Sequence, residues 1–155
     1  MAEPVELLAQ IALFQDLSPN ELERIAALAK EVSFSKNDSI FAEGDAGNAL
    51  YMIIEGEVRI AKIIPGIGEE ALAILKPGSF FGEMALLDDS PRSAHAIAHT
   101  AARLFAIERD QFESLLFVDK ELAYHVLSAI VRVLAARLRE TNDKVTAFFA
   151  MSKFE

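Results

Sequence analysis

The first 30 residues carry apolar side chains at helical spacing. The positions that set this spacing are Leu7, Leu8, Ile11 and Phe14. Ser18 then precedes Pro19, and Glu21 follows three residues after Ser18, which is the capping-box pattern that begins a helix. The pattern therefore predicts two short helices before residue 30.

From about residue 32 to residue 107 the pattern changes to short apolar runs that are broken by glycine. The runs that indicate strands are 32–34, 39–42, 49–54, 57–63, 70–75, 93–99 and 103–107. Short strands at this spacing, with glycine at the turns, are typical of a small antiparallel sandwich or barrel.

After residue 107 helical spacing returns. Residues 110–117 predict a short helix, and 120–149 predict a long helix that contains no Gly or Pro. A seam with steps of four and three residues runs along it: Leu127, Val131, Leu134, Leu138, Thr141, Val145 and Phe148. Thirty helical residues extend about 45 Å, which is more than the core of so small a domain needs. We expect this seam to form a homodimer, with packing back onto the β domain as the alternative.

The length of 155 residues predicts a single α+β domain over 1–155. Its parts are a helical segment (1–30), a β-roll (31–108) and C-terminal helices (109–150). The chain has no Cys, which excludes disulfides and thiolate metal sites and fits a cytoplasmic location. Neither a signal peptide nor an apolar membrane-spanning stretch is visible, so we expect no membrane partner.

The net charge is −9, and it is distributed unevenly along the chain. Residues 1–92 hold 16 acidic and 7 basic side chains, whereas 93–155 hold 8 of each. Nucleic-acid binding needs clustered Lys and Arg, so this composition argues against direct DNA binding by this chain alone.

One interruption of the strand pattern has the composition of an anion site. Gly82 precedes a short run of helix formers, and free amides at such a position favour an anion. Arg92 follows Pro91 and offers a guanidinium fork suited to phosphate oxygens. Glu83 offers a carboxylate that can accept hydrogen bonds from two hydroxyls. Together the backbone at Gly82 and the side chains of Arg92 and Glu83 predict a receptor for a sugar phosphate.

The segments 81–87 and 91–94 resemble the phosphate-binding cassette of cyclic nucleotide-binding domains. The resemblance covers nearly the whole chain, and it is strongest to bacterial regulators of the cyclic-AMP receptor protein type, which the stretch 136–145 also resembles. It implies an antiparallel β-roll or jelly-roll with N-terminal helices, a short cassette helix and a long C-terminal dimerisation helix.

The resemblance also implies roles for individual residues. Arg92 corresponds to the residue that pairs with the cyclic phosphate, Ser93 lies beside it, and Glu83 corresponds to the carboxylate that holds the ribose hydroxyl. Thr141 and Asn142 match the two polar residues that reach the purine, although the family more often has Ser at the second place. This pair favours cyclic AMP over cyclic GMP. The full implied set is Phe81, Gly82, Glu83, Met84, Ala85, Arg92, Ser93, Ala94, Thr141 and Asn142.

Other kinds of site have less support in the sequence. His95 and His99 lie four residues apart on a predicted strand and could join Glu83 at a metal, but the tight His-x-His spacing of cupins is missing and His125 lies on a distant helix. No nucleophile elbow or phosphate loop of the Gly-x-x-x-x-Gly-Lys type appears, so we expect no metal, no cofactor and no enzymatic activity.

The function predicted from the sequence is a cyclic nucleotide sensor that signals through its C-terminal helix to an unidentified output protein. The given chain ends at Glu155 without the winged helix-turn-helix of the similar regulators. It therefore fits either a stand-alone sensor or the sensory part of a longer transcription regulator. The alternative is a dimeric protein-interaction module with a degenerate pocket, which would act through the long helix and Phe148, Phe149 and Phe154.

Overall fold

The computed structural model describes residues 4–83 and 91–153. Its helical elements are α1 (Pro4–Leu8), a 3-10 turn (Ala12–Phe14), α2 (Pro19–Leu28), α3 (Arg109–Val118) and α4 (Lys120–Ser152). Its strands are β1 (Lys30–Phe34), β2 (Ser39–Phe41), β3 (Ala49–Glu55), β4 (Val58–Ile64), β5 (Gly68–Leu75), β6 (Phe80–Phe81), β7 (His95–Ala98) and β8 (Ala102–Glu108).

The strands form two four-stranded sheets in the orders β1-β8-β3-β6 and β2-β7-β4-β5. The paired strands are antiparallel, which confirms the predicted antiparallel roll between N-terminal helices and a long C-terminal helix. Strand β6 was not predicted, because two residues are too few to show alternation. Residues 84–87 of the predicted cassette helix lie outside the described residues.

The start of α2 has the predicted capping box. The Ser18 hydroxyl accepts a hydrogen bond from the Glu21 amide at 3.3 Å, and Glu21 Oε1 accepts one from the Ser18 amide at 2.9 Å. The other oxygen of the Glu21 carboxylate contacts Nδ1 of His125 on α4 at 3.2 Å. The cap of α2 is thereby linked to the long helix.

The apolar side chains form two clusters. One fills the space between the sheet that contains β3 and the helices, and its largest fully buried members include Phe14, Phe80 and Phe112. The other lies inside the roll and includes Ile53, Phe81 and Leu104. Phe80 and Phe81 are consecutive and face opposite sides of the pleat, so β6 connects the two clusters just before the predicted anion site.

Helix α4 changes character along its length. Leu122, Val126 and Ile130 are buried against the first cluster. After Ile130 most side chains of the predicted seam are exposed to solvent, and those of Leu138 and Phe148 are 61% and 68% exposed. The helix ends at Ser152, three residues beyond the predicted end. Within the described ranges, no helix is both long enough and apolar enough to cross a membrane.

Candidate functional site

A cavity of about 380 Å³ lies between the roll and the middle of α4. It brings together seven of the residues predicted for the site: Phe81, Gly82, Glu83, Arg92, Ser93, Ala94 and Thr141. The other lining residues are Phe41, Ile60, Leu72, Ala73, Leu75, Pro91, Arg137, Glu140 and Lys144. Met84 and Ala85 fall outside the described residues, and Asn142 is not among the described residues that line the cavity.

Arg92 lies at the base of this cavity, only 7% exposed. Its Nη1 donates to the Gly82 carbonyl at 3.1 Å and its Nη2 donates to the Ala49 carbonyl at 2.8 Å. Its Nε is buried and has no hydrogen-bond partner among the described residues. Burial lowers the pKa of the guanidinium below its ordinary value, and nearby Tyr51, Glu83 and Asp45 partly offset this. A buried cation with an unused donor is suited to receive an anion.

The backbone around Arg92 is anchored as well. Its amide donates to the Asp45 carbonyl and its own carbonyl accepts from the Gly44 amide, both at 2.8 Å. This pair of bonds ties the segment before β7 to the loop that follows β2. The side chain is therefore held at both ends, by its backbone and by its guanidinium.

Gly82 follows β6 directly and has a φ of +81°, in the left-handed region that favours glycine. A Cβ atom at this position would lie 2.7 Å from Nη1 of Arg92 and 3.1 Å from the Ala49 carbonyl oxygen. The absence of a side chain at Gly82 is therefore what lets the guanidinium reach its two carbonyl acceptors.

Glu83 is 6% exposed, and its charge is paired with a residue of α4. Its Oε1 accepts a hydrogen bond from Nη1 of Arg137 at 2.6 Å, and Nη2 of Arg137 also donates to the Phe80 carbonyl at 3.3 Å. The second carboxylate oxygen of Glu83 is not used in this pair. Arg137 thus connects α4 to the end of β6 across the cavity.

The α4 residues that line the cavity lie on one helical face. Arg137, Glu140, Thr141 and Lys144 follow the i, i+3, i+4, i+7 spacing that places side chains together. The Thr141 hydroxyl donates to the Arg137 carbonyl at 3.0 Å. Of these four residues, only Thr141 was predicted for the site. The other three share its face, so this spacing could have identified them.

The histidines considered for a metal site have other contacts. The ring Nδ1 of His95 accepts from the Glu43 amide at 3.3 Å, and that of His99 lies 3.0 Å from Nη1 of Arg59. Within residues 4–83 and 91–153, no group of three or more His, Asp or Glu side chains could hold a metal ion.

Comparison with known proteins bears on the same part of the chain. Residues 31–119 match the family described as the cyclic nucleotide-binding domain. The chain is 34% identical over 140 residues to the CRP-like cAMP-activated global transcriptional regulator of Mycobacterium tuberculosis. The aligned residues cover 90% of this chain and 61% of that protein.

Two solved structures share the fold. The crystal structure of a cyclic nucleotide-binding domain from Methylobacillus flagellatus has a TM-score of 0.80 at 31% identity, covering 92% of this chain and 80% of that one. The co-crystal structure of the regulatory domain of Toxoplasma gondii PKA with cAMP has a TM-score of 0.66 at 31% identity, covering 72% of this chain and 42% of that one.

These matches show that the chain belongs to the cyclic nucleotide-binding domain family, as the cassette residues predicted. The chain spans about three fifths of the length of the M. tuberculosis regulator.

Proposed function

We propose that this chain binds a cyclic nucleotide, with cyclic AMP preferred over cyclic GMP, and acts as a non-catalytic sensor that signals through α4. The observation that carries the proposal is the buried Arg92, whose Nε has no partner among the described residues and which lines a cavity that α4 also lines. The cyclic phosphate carries one negative charge and would pair with this guanidinium.

The remaining groups of the cavity suit the rest of the nucleotide. The second carboxylate oxygen of Glu83 can accept a hydrogen bond from the ribose hydroxyl while Oε1 keeps its bond to Arg137. The apolar lining of Ile60, Leu72 and Leu75 suits the faces of a purine. The ligand would therefore contact the roll through its phosphate, its ribose and the faces of its base, and α4 through the edge of its base.

The hydroxyl of Thr141 supports the preference for cyclic AMP. Because its hydrogen is donated to the Arg137 carbonyl, the hydroxyl can accept a further hydrogen bond but cannot donate one. The exocyclic amino group of adenine is a donor, whereas the corresponding position of guanine is a carbonyl acceptor. Thr141 therefore fits adenine better at that edge of the base. The contact predicted for Asn142 stays a prediction.

Signalling would use the link between Arg137 and Glu83. A ligand that donates to the second carboxylate oxygen of Glu83 and contacts Thr141 touches both elements that this link joins, the end of β6 and α4. Ligand binding therefore changes the relative free energies of different α4 positions, which is the requirement for a two-state switch.

The exposed seam of α4 supports a homodimer through 120–149 as part of the proposal. Leu138, Val145 and Phe148 are apolar and 48–68% exposed, and they follow the heptad spacing. The same seam is what favours the second candidate function, a dimeric interaction module that has no need of a ligand. The output protein stays unidentified, and a cytoplasmic location rests on the Cys-free composition.

Titration calorimetry with cyclic AMP and with cyclic GMP tests the proposal. We expect saturable binding of both, tighter for cyclic AMP, and a loss of at least about tenfold in affinity for Arg92→Ala, because a charge-assisted pair is removed. Arg59→Ala is the matched control, since Arg59 pairs with Glu69 outside the cavity lining. Affinity unchanged in Arg92→Ala would refute the assignment. A stable dimer that binds neither nucleotide would favour the interaction module.

A further inference from the structure

The guanidinium of Arg92 packs over an aromatic ring. The centre of the Phe41 ring lies 4.1 Å from Cζ of Arg92, and the centre of the Tyr51 ring lies 6.0 Å from it. These distances are within the range of cation–π attraction. Phe41 also lines the cavity, at the end of β2.

Packing among three rings fixes the position of Phe41. Its ring centre lies 6.1 Å from that of Tyr51 and 5.9 Å from that of Phe81, and the rings of Tyr51 and Phe81 are stacked at 5.3 Å. Tyr51 and Phe81 are also direct partners in the pairing of β3 with β6. Phe41 belongs to the opposite sheet, so the cluster joins the two sheets beside Arg92.

The attraction of the guanidinium to Phe41 is to the face of the ring and needs no hydrogen-bond acceptor. Two of the guanidinium donors are bonded to the carbonyls of Gly82 and Ala49. The two carbonyls restrain the guanidinium at its Nη atoms, and the Phe41 ring packs against it at Cζ. Arg92 is only 7% exposed beside this ring, and such burial strengthens the electrostatic attraction to an anion.

We infer that Phe41 is a positioning residue that holds the plane of the Arg92 guanidinium so that its remaining donors meet the anionic group of the ligand. The inference rests on the proposed function and adds to it a residue that contacts Arg92, the side chain proposed to bind the cyclic phosphate. It predicts that Phe41 affects binding through Arg92.

The test is a double-mutant cycle on Phe41 and Arg92, measured by titration calorimetry with cyclic AMP. Phe41→Leu removes the ring and keeps an apolar side chain, and we expect it to weaken binding about 2- to 30-fold, the range of cation–π attraction. In an Arg92→Lys background, which lacks the planar fork, the same substitution should change affinity less than about twofold. Phe41→Tyr keeps the ring and should bind within about twofold of the wild type.

Phe34→Leu is the matched control. Phe34 is a half-buried phenylalanine of β1 that, like Phe41, packs against the apolar cluster inside the roll, and it is not among the residues that line the cavity. It should leave cyclic AMP affinity unchanged. Equal losses in Phe41→Leu and Phe34→Leu, or an equal loss from Phe41→Leu in both backgrounds, would overturn the inference while leaving the proposed function in place. A wild-type chain that binds no cyclic nucleotide would overturn both.

Discussion

Gly82 allows a sharp test of how the backbone builds the site. Gly82→Ala introduces a Cβ atom 2.7 Å from Nη1 of Arg92, at a residue whose φ is +81°. A non-glycine residue in the left-handed region costs about 1–2 kcal/mol. The new methyl group must also displace the guanidinium from the Gly82 carbonyl, which removes a hydrogen bond to a charged group worth about 1.5–3 kcal/mol. We expect a lower free energy of unfolding and a loss of about 10- to 100-fold in ligand affinity.

Gly66→Ala is the matched control for this change. Gly66 has nearly the same φ, +79°, but nothing lies within 4 Å of a Cβ atom there. It should lose a similar amount of stability from backbone strain and none of the affinity. Urea unfolding measures the first quantity and titration calorimetry with cyclic AMP measures the second. Equal affinities for the two variants would refute the steric account of Gly82.

Three further predictions concern α4 and its contacts. Arg137→Ala leaves the buried Glu83 carboxylate without its cation and should lower the free energy of unfolding in urea by about 1–2 kcal/mol, since the Arg137 side chain is itself 40% exposed. Burial raises the pKa of Glu21, but hydrogen bonds from Ser18 and His125 outweigh it and lower the pKa below its ordinary 4.5. Stability from this carboxylate is therefore present above pH 4.5 and is lost as the pH falls through the lowered value; Glu21→Gln should flatten that part of the unfolding profile. Leu138→Glu should convert a dimer to a monomer in light scattering.

Each of these predictions has a matched control in the same chain. Arg132→Ala removes an ion pair with Asp16 in which both side chains are more than 60% exposed, so it should cost less than Arg137→Ala. Glu23→Gln alters an exposed carboxylate on α2 and should leave the acid profile unchanged. Ala136→Glu adds the same charge as Leu138→Glu on the other side of α4 and should stay dimeric. Indistinguishable behaviour of variant and control would contradict the corresponding prediction.

The elements that the sequence predicted well are those with long local patterns. The capping box at Ser18 and the uninterrupted helix after Lys120 were both visible in the order of residues, and both are present in the structure. The core of the cassette was also recognisable, because Gly82, Glu83 and Arg92 lie within eleven positions of one another. Local order was sufficient for these features.

The contacts that complete the cavity depend on distant segments. Arg137 meets Glu83 across 54 residues, and Phe41 reaches Arg92 from a strand of three residues. A single aromatic residue in so short a strand has no periodicity that distinguishes it from core packing. Arg137 and Phe41 could therefore be identified only from the three-dimensional arrangement, whereas Glu83 and Arg92 could be identified from the sequence.

The length of α4 has a mechanical consequence. Its last fully buried side chain is Ile130, and the helix continues to Ser152. At 1.5 Å per residue, the part of α4 beyond Ile130 extends about 33 Å, so a tilt of about 10° about Ile130 would displace its far end by about 6 Å. The cavity residues Arg137 and Lys144 lie about 10 and 21 Å along the helix from Ile130, so the same tilt would move them by about 2 and 4 Å, close to the length of one hydrogen bond. Under the proposed switch, a contact change of this size in the cavity would therefore be amplified at Phe148.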